Sequence, residues 1–311
     1  MCSFNPKNLY KEEIMYKKLS APLAVQVEVT DNCNQICSHC YRNCPELRNK
    51  TTRKMDIPTI EKIVDLLADA GVMSVAFTGG EPFMQAKTLQ KGIERVRHYG
   101  IDCFVNSNLQ ILPDEMINLL VDAKVGILTS MLSCIPSIHD KITGRNNSFN
   151  RLVRNIQKLN KAGAIVSINT VVRNDTIDTV YQTGLLAHQL GAKRFSATKA
   201  APSPGTDYLS YRANADQVKK SLDILLQLHK ETGMRVDILE SYPLCFFGDL
   251  KKYSIFIRRN CTAGVFNCSI SPNGEMRPCS HADIVYGNIL EEGIYKCWDR
   301  MDDWRKGGLS F

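Results

Sequence analysis

Cys33-Asn34-Gln35-Ile36-Cys37-Ser38-His39-Cys40 is the stretch that decides the fold: three thiols in eight residues, directly after the apolar segment at 23–29. A C-x3-C-x2-C run on a loop leaving a strand can close on one small inorganic core. An iron–sulfur cube normally takes four cysteines, one per iron. Three protein ligands leave one iron open, as a three-ligand zinc site leaves a position for water or substrate. A structural zinc knuckle is the competing reading, with Cys37 and Cys40 as one C-x2-C pair and a second pair tens of residues on. Cys44 adds a fourth thiol nearby, and His39 is either a ligand or a solvated loop histidine. Spacing alone leaves both readings open.

At 311 residues the chain can bury one large core and carry a smaller appendage. With 44% hydrophobic and 23% charged residues it has the composition of a globular protein. No stretch approaches the roughly 18 consecutive apolar residues of a membrane span. Residues 1–20 lack the apolar core of a signal peptide, so a cytoplasmic protein without membrane association is expected. In a reducing compartment, 12 cysteines with ligand-like clustering point to metal or redox chemistry more than to disulfides. The net charge of +7 suits an anionic cofactor, an acidic peptide or an electron donor of the flavodoxin or ferredoxin type. No dense Lys/Arg stripe interleaved with aromatics is present, which argues against nucleic acid.

Valine-rich alternation predicts a first strand at 23–30, and further apolar runs predict strands at 73–77, 101–105, 126–132, 165–172 and 193–198. Helical periodicity falls between them, at 57–70, 88–99, 113–123, 149–162, 176–190 and 214–231. A short amphipathic helix is expected over 11–19, a charged and mobile tail over 45–54, an irregular connection at 201–205, and a strand at 236–239 leading out of the sheet. Strands each followed by a helix argue a parallel sheet with crossovers. Six units are too few for a closed eight-fold barrel. The expected class is α/β, an open (β/α)6 partial TIM barrel whose open side admits a large substrate.

Phe77-Thr78-Gly79-Gly80-Glu81-Pro82 closes the second strand. A C-x3-C-x2-C loop after the first strand and G-G-E-P after the second, in that order, resemble the radical S-adenosylmethionine (SAM) enzymes, over almost the whole chain. The resemblance implies that Cys33, Cys37 and Cys40 hold a [4Fe–4S] cluster. It further implies that SAM chelates the fourth iron and that Gly79, Gly80 and Glu81 meet its methionyl amine. Glycines lacking Cβ let backbone approach a ligand closely, and barrel sites form at the carboxyl ends of strands. Ser130-Met131-Leu132-Ser133 and then His139-Asp140-Lys141-Ile142-Thr143-Gly144 match a pattern of the branch with C-terminal cluster domains. From it, Ser130 or Ser133 becomes a candidate cofactor contact, together with Asn169 and Arg173. His139-Asp140 is better read as a turn and helix-capping pair, and Asn106, Ser107 and Asn108 as an ordinary polar strand end.

Further on, Cys261-x12-Gly274-x4-Cys279 looks like the opening of a SPASM or twitch domain, which holds auxiliary [4Fe–4S] clusters. Pro272-Asn273-Gly274 supplies a tight turn, so 268–271 and 275–278 are expected to pair as a hairpin that returns Cys279 towards Cys261. Gly287-Asn288-Ile289 and Cys297-Trp298 match the intervening region, but the C-x2-C pair that normally completes such a cluster does not follow. Either the C-terminus is truncated, or two of Cys245, Cys268 and Cys297 complete a site begun by Cys261 and Cys279. The expected division is an N-terminal extension (1–22), the partial barrel (23–232) and a SPASM/twitch-like domain (233–311).

What the resemblance implies is reductive cleavage of SAM to a 5′-deoxyadenosyl radical that takes a hydrogen atom from a substrate. A ribosomally made peptide that is cross-linked or epimerised comes first. A separate leader-peptide-binding protein is then implied, since residues 1–20 are too short for a winged-helix recognition module. An epimerase needs a thiol to return hydrogen, for which Cys134 and Cys245 are candidates. A dehydrogenase acting on a small sugar or alcohol is the alternative, and a metal-stabilised binding protein the non-enzymatic one.

Overall fold

Seven strands of a computed structural model lie parallel in one sheet, with two more continuing it along one edge. The structure describes residues 18–42, 52–202 and 206–307. Cys44, most of the helix expected at 11–19 and most of the tail expected at 45–54 lie outside them. The end of that tail is bound to the first strand: Asp31 N–H donates to Arg53 O (3.0 Å) and Met55 N–H to Val29 O (2.9 Å).

The strands are β1 (Ala24–Thr30), β2 (Ser74–Gly79), β3 (Asp102–Asn106), β4 (Gly126–Ser130), β5 (Ile165–Val172), β6 (Arg194–Lys199) and β7 (Arg235–Asp237). The crossover helices are α1 (Ile57–Asp69), α2 (Ala86–His98), α3 (Asp114–Asp122), α4 (Pro136–Thr143), α5 (Ser148–Lys161), α6 (Val180–Gln189) and α7 (Ala215–Thr232). Local chemistry explains their limits. Asp56 caps α1 by accepting from Thr59 N–H, and Ile60, Ile63, Val64 and Leu67 form its buried face. Asn214 and Gln217 form a reciprocal capping box on α7, and Gly233 ends it in the left-handed conformation.

Alternation along the strands separates two faces. Val25, Val27, Phe77, Val105, Ile168 and Phe195 pack into the core under the helices. The register puts Glu28, Thr78, Asn106, Ser130, Asn169 and Thr198 on the opposite, inner face, towards the strands' carboxyl ends. That polar face is the barrel lumen.

The (β/α)6 barrel runs from β1 to β6, and the C-terminal quarter extends it at both edges. The segment expected to lead away from the barrel instead forms β7, parallel to β6. On the far edge, β8 (Asn267–Ile270) pairs parallel to β1, and β9 (Met276–Arg277) returns antiparallel through the expected Pro272-Asn273-Gly274 turn. β7 and β9 are the two ends of this sheet, so the barrel is open. Three short helices follow, a single turn at Ile289–Glu292 and then α8 (Ile294–Asp299) and α9 (Asp302–Gly307). Trp298 of α8 is buried and donates its indole N–H to Leu19 O (2.8 Å). Among the described residues no helix is long and apolar enough to cross a membrane.

Candidate functional site

The cysteine loop leaves the carboxyl end of β1 and is held from three sides. From below, Gly79 and Gly80 press on its root. Gly80 N–H donates to Thr30 O (2.6 Å) and Glu81 N–H to Asn32 O (2.7 Å). A Cβ on Gly79 would lie 2.3 Å from Thr30 O, and one on Gly80 2.0 Å from Asn32 O. Gly79 also has φ +130°, which favours glycine. The glycines thus admit the loop's own backbone, a partner that reading the motif against a ligand alone misses.

From the side, α4 offers its carboxyl end. Ile36 N–H donates to Thr143 O (2.9 Å), Ser38 N–H to Ile142 O (3.0 Å), and the Arg145 guanidinium to Asn34 O (2.7 Å). The His139–Gly144 segment is therefore a helix whose free carbonyls receive the loop's amides. Asp140 does cap: it accepts from the N–H groups of Asn147 (2.5 Å) and Phe149 (2.8 Å) and starts α5. His139 is buried and accepts at Nδ1 from Leu132 N–H (3.2 Å), and burial pushes its pKa down to about 4.

From across the barrel, Arg173 at the end of β5 donates to Ser38 Oγ (2.8 Å) while its Nε and Nη2 grip both Asp175 oxygens (2.7 and 2.8 Å). Asn108 amide N–H reaches Asn34 Oδ1 (2.7 Å) and Cys33 Sγ (3.7 Å).

Glu81 is fully buried. Its carboxylate accepts from Phe83 N–H (3.0 Å), Ser107 Oγ–H (2.8 Å) and Asn108 N–H (2.8 Å). Burial pushes it up to about 7, against those hydrogen bonds. The side chain expected to face a ligand is enclosed, and it ties the G-G-E-P turn to the end of β3. Ser107 and Asn108, taken as ordinary strand-end residues, link Glu81 to Cys33.

Ser133 is buried, with its hydroxyl on Thr179 Oγ1 (3.1 Å) and Ile135 N–H (3.1 Å), whereas Ser130 is exposed on the inner face. Asn169 faces the lumen and accepts from Thr198 Oγ1 (2.7 Å). Cys134 is half-buried past the end of β4, and Cys245 is exposed on the short helix Leu244–Phe247.

A second cluster was not foreseen. Glu28, buried in β1, accepts from Arg42 (3.0 Å), from Ser269 (3.2 Å) and from Arg277 of the C-terminal hairpin. Arg42 also donates to Ser280 O (3.3 Å), and the Tyr41 and His281 rings stack with centroids 4.0 Å apart. These contacts fasten the neighbours of Cys40 to the neighbours of Cys279. The sequence signal was a single charged residue in the valine-rich strand β1.

The C-terminal thiols fall into two pairs. Burial raises the Cys279 thiol above its ordinary pKa, against hydrogen bonds from the His281 and Ala282 amides, and its neighbour Cys261, which is exposed, adds to the rise. Cys268 and Cys297 neighbour one another within the hydrophobic core, and burial drives the Cys268 thiol far above its ordinary range. Such burial disfavours the thiolate that metal ligation needs.

The N-terminal loop fits an open cluster. Its three thiols are half-buried, Asn108 offers a hydrogen bond to sulfur, and the arginines beside the loop suit an anionic group. Among the described residues no three His, Cys, Asp or Glu side chains gather closely enough to share one metal ion. Thiolates that each bind a separate iron of a cube stand farther apart than ligands of one ion.

The comparisons agree with this geometry. The chain is 27% identical over 295 residues to the antilisterial bacteriocin subtilosin biosynthesis protein AlbA of Bacillus subtilis (strain 168), covering 89% of this chain and 61% of that protein. It is 24% identical to the AdoMet-dependent heme synthase of Methanosarcina barkeri (strain Fusaro / DSM 804), covering 94% of this chain and 86% of that one. The chain therefore spans less than two thirds of the subtilosin protein's length. It shares its fold with Streptococcus suis SuiB bound to precursor peptide SuiA, with a TM-score of 0.79 at 18% identity over 94% of this chain and 68% of that one. Residues 27–187, from β1 through α6 and more than half of the chain, match the Radical SAM superfamily, and the chain belongs to that superfamily.

Proposed function

We propose that the protein is a radical SAM enzyme that takes a hydrogen atom from a peptide and so cross-links or epimerises it. The observation that carries this is the cysteine loop, held by Gly79–Gly80, α4 and Arg173 with its three thiols half-buried at the mouth of an open barrel. Cys33, Cys37 and Cys40 would hold a [4Fe–4S] cluster, leaving one iron for SAM. When bound, cluster and SAM supply one-electron cleavage of a C–S bond and a carbon radical able to abstract hydrogen. The electron comes from a donor of the flavodoxin or ferredoxin type.

The chain's own residues orient and enclose. Gly79, Gly80 and α4 fix the loop's backbone, while Asn108 donates to the Cys33 sulfur and tunes it. Ser130 and Asn169, on the inner face, would contact SAM; Arg173 fixes the loop from β5, and Ser133 and Glu81 hold turns. The lumen positions the substrate, since hydrogen transfer needs atoms about 3–3.5 Å apart. Cys261 and Cys279 would begin an auxiliary cluster in residues 233–311, with Cys268 and Cys297 left in the core. Neither Cys134 nor Cys245 is needed for a cross-link; an epimerase would use one as hydrogen donor.

Similarity to AlbA and to the SuiB fold, solved with its precursor peptide, supports the peptide reading. Leader recognition by a separate protein belongs to the proposal and rests on neither. The M. barkeri similarity favours a small-molecule substrate as the second reading. Reconstituted protein, reductant and SAM in deuterated buffer separate them. Peptide cross-linking removes two hydrogens and epimerisation replaces one hydrogen by deuterium. Deoxyadenosine formed with no mass change in any candidate peptide overturns the peptide reading.

A further inference from the structure

A cavity of about 220 Å³ lies at the opposite end of the barrel from the cysteine loop, where β4 to β7 begin. Its two walls differ. Phe104, Leu128 and Ile165 make an apolar side; Phe104 lies so close over Gly126 that a Cβ there would meet its ring at 2.6 Å. Lys193, Arg194, Arg235 and Ser167 make a cationic, hydrogen-bonding side.

The charge there is not balanced. Arg194 and Arg259 share a single oxygen of Asp237, at 3.4 and 3.3 Å. Arg194 Nε is buried without a hydrogen-bond partner. Burial, and the like charges of Arg259 and Arg235, outweigh Asp237 and pull Arg194 below its ordinary pKa. Three cations thus line a recess whose other wall is apolar, and the one carboxylate paired with Arg194 is shared with Arg259. A buried donor without an acceptor costs free energy that an incoming anion recovers.

We infer that this cavity anchors a carboxylate of the substrate on Arg194 and Arg235, with an apolar group beside it on Phe104 and Leu128. The inference rests on the peptide reading and narrows it. Arg194 lies four residues below Thr198 on β6, about 13 Å at the rise of a strand. An extended chain covers that distance in about four residues. A carboxylate held there lies about four extended residues from the level of Thr198 and its partner Asn169, the proposed SAM contact. It is either an acidic side chain or the peptide's carboxyl terminus.

Three capped dipeptides test this against the anaerobically reconstituted protein, without reductant. They are N-acetyl-leucyl-glutamate amide, N-acetyl-leucyl-glutamine with a free carboxyl terminus, and N-acetyl-leucyl-glutaminamide. Titration by saturation-transfer NMR is expected to show one acidic dipeptide binding about tenfold tighter than the neutral one, the factor of one charge-assisted hydrogen bond. Whichever acid is preferred identifies the source. Arg194→Gln and Arg235→Gln, each checked for folding by circular dichroism, should erase the preference, and Lys91→Gln on α2 should keep it. The inference is overturned if the dipeptides bind alike or not at all, or if the preference survives both arginine substitutions. Arg235→Gln serves alone should Arg194→Gln not fold. Deoxyadenosine release is assayed separately: its absence with the preference intact sinks only the proposed function, and its presence without the preference sinks only this inference.

Discussion

Two cysteine-rich regions of this chain look alike on paper and differ in the fold. The loop at Cys33, Cys37 and Cys40 has its thiols half-buried and its amides bonded to neighbouring elements. At the other end, Cys268 and Cys297 are core residues, Cys261 is exposed, and Cys279 sits on the loop after β9. Ligand thiols need to be reachable and able to ionise, and they need a backbone that keeps them in place. Buried thiols without those conditions behave as small hydrophobes.

Substitutions sharpen that contrast. Cys37→Ala has the largest expected effect: loss of the N-terminal cluster and a fall of deoxyadenosine formation to background, measured by iron and sulfide content and by product chromatography. Iron content unchanged in that variant would break the comparison at its stronger end. Gly80→Ala comes next, because its Cβ would sit 2.0 Å from Asn32 O. Such overpacking should cost about 3 kcal/mol or more, read as a lower thermal midpoint together with reduced iron loading.

Among the C-terminal thiols, Cys279→Ala should lower iron content with little change in stability. Cys268→Ala and Cys297→Ala should do the reverse, keeping iron but costing about 1–2 kcal/mol each. Equal iron loss in all three would merge the two C-terminal pairs into one site.

The smallest effect is on pH dependence. His139, held near 4 against an ordinary 6.5, resists a proton that the unfolded chain accepts. Its contribution is complete above pH 6.5 and is lost as pH falls towards 4. Glu81, raised from 4.5 to about 7, has the opposite sign: its contribution is complete below 4.5 and is lost as pH rises towards 7. Urea midpoints between pH 7 and 4 should therefore fall less in His139→Asn than in the parent, and identical curves would remove His139 from the account.

The alternation of the strands and the periodicity of the helices were legible because each repeats a local pattern against the core. Val25 and Val27 announce β1 without any knowledge of its partners. The sequence could not say what lies opposite a residue. Glu28 reads as an oddity until Arg42 and Arg277 arrive from 14 and 249 residues away. Glu81 reads as a ligand contact until Ser107 and Asn108 close over it. Periodicity does not reveal helix α4, in which only His139-Asp140 reads as a turn and capping pair, because its eight residues begin with proline and carry few apolar positions.

The parallel pairing of β8 with β1 has a consequence for synthesis. The strand from which the cysteine loop springs keeps one hydrogen-bonding edge bare until residues 267–270 have left the ribosome. That pairing joins residues more than 240 positions apart. Closing so distant a pair comes late in folding. Until that final zip, the nascent barrel presents an unprotected flank that can recruit strands from other chains. The strand that carries the cysteine loop thus gains its second neighbour only when the C-terminal hairpin docks.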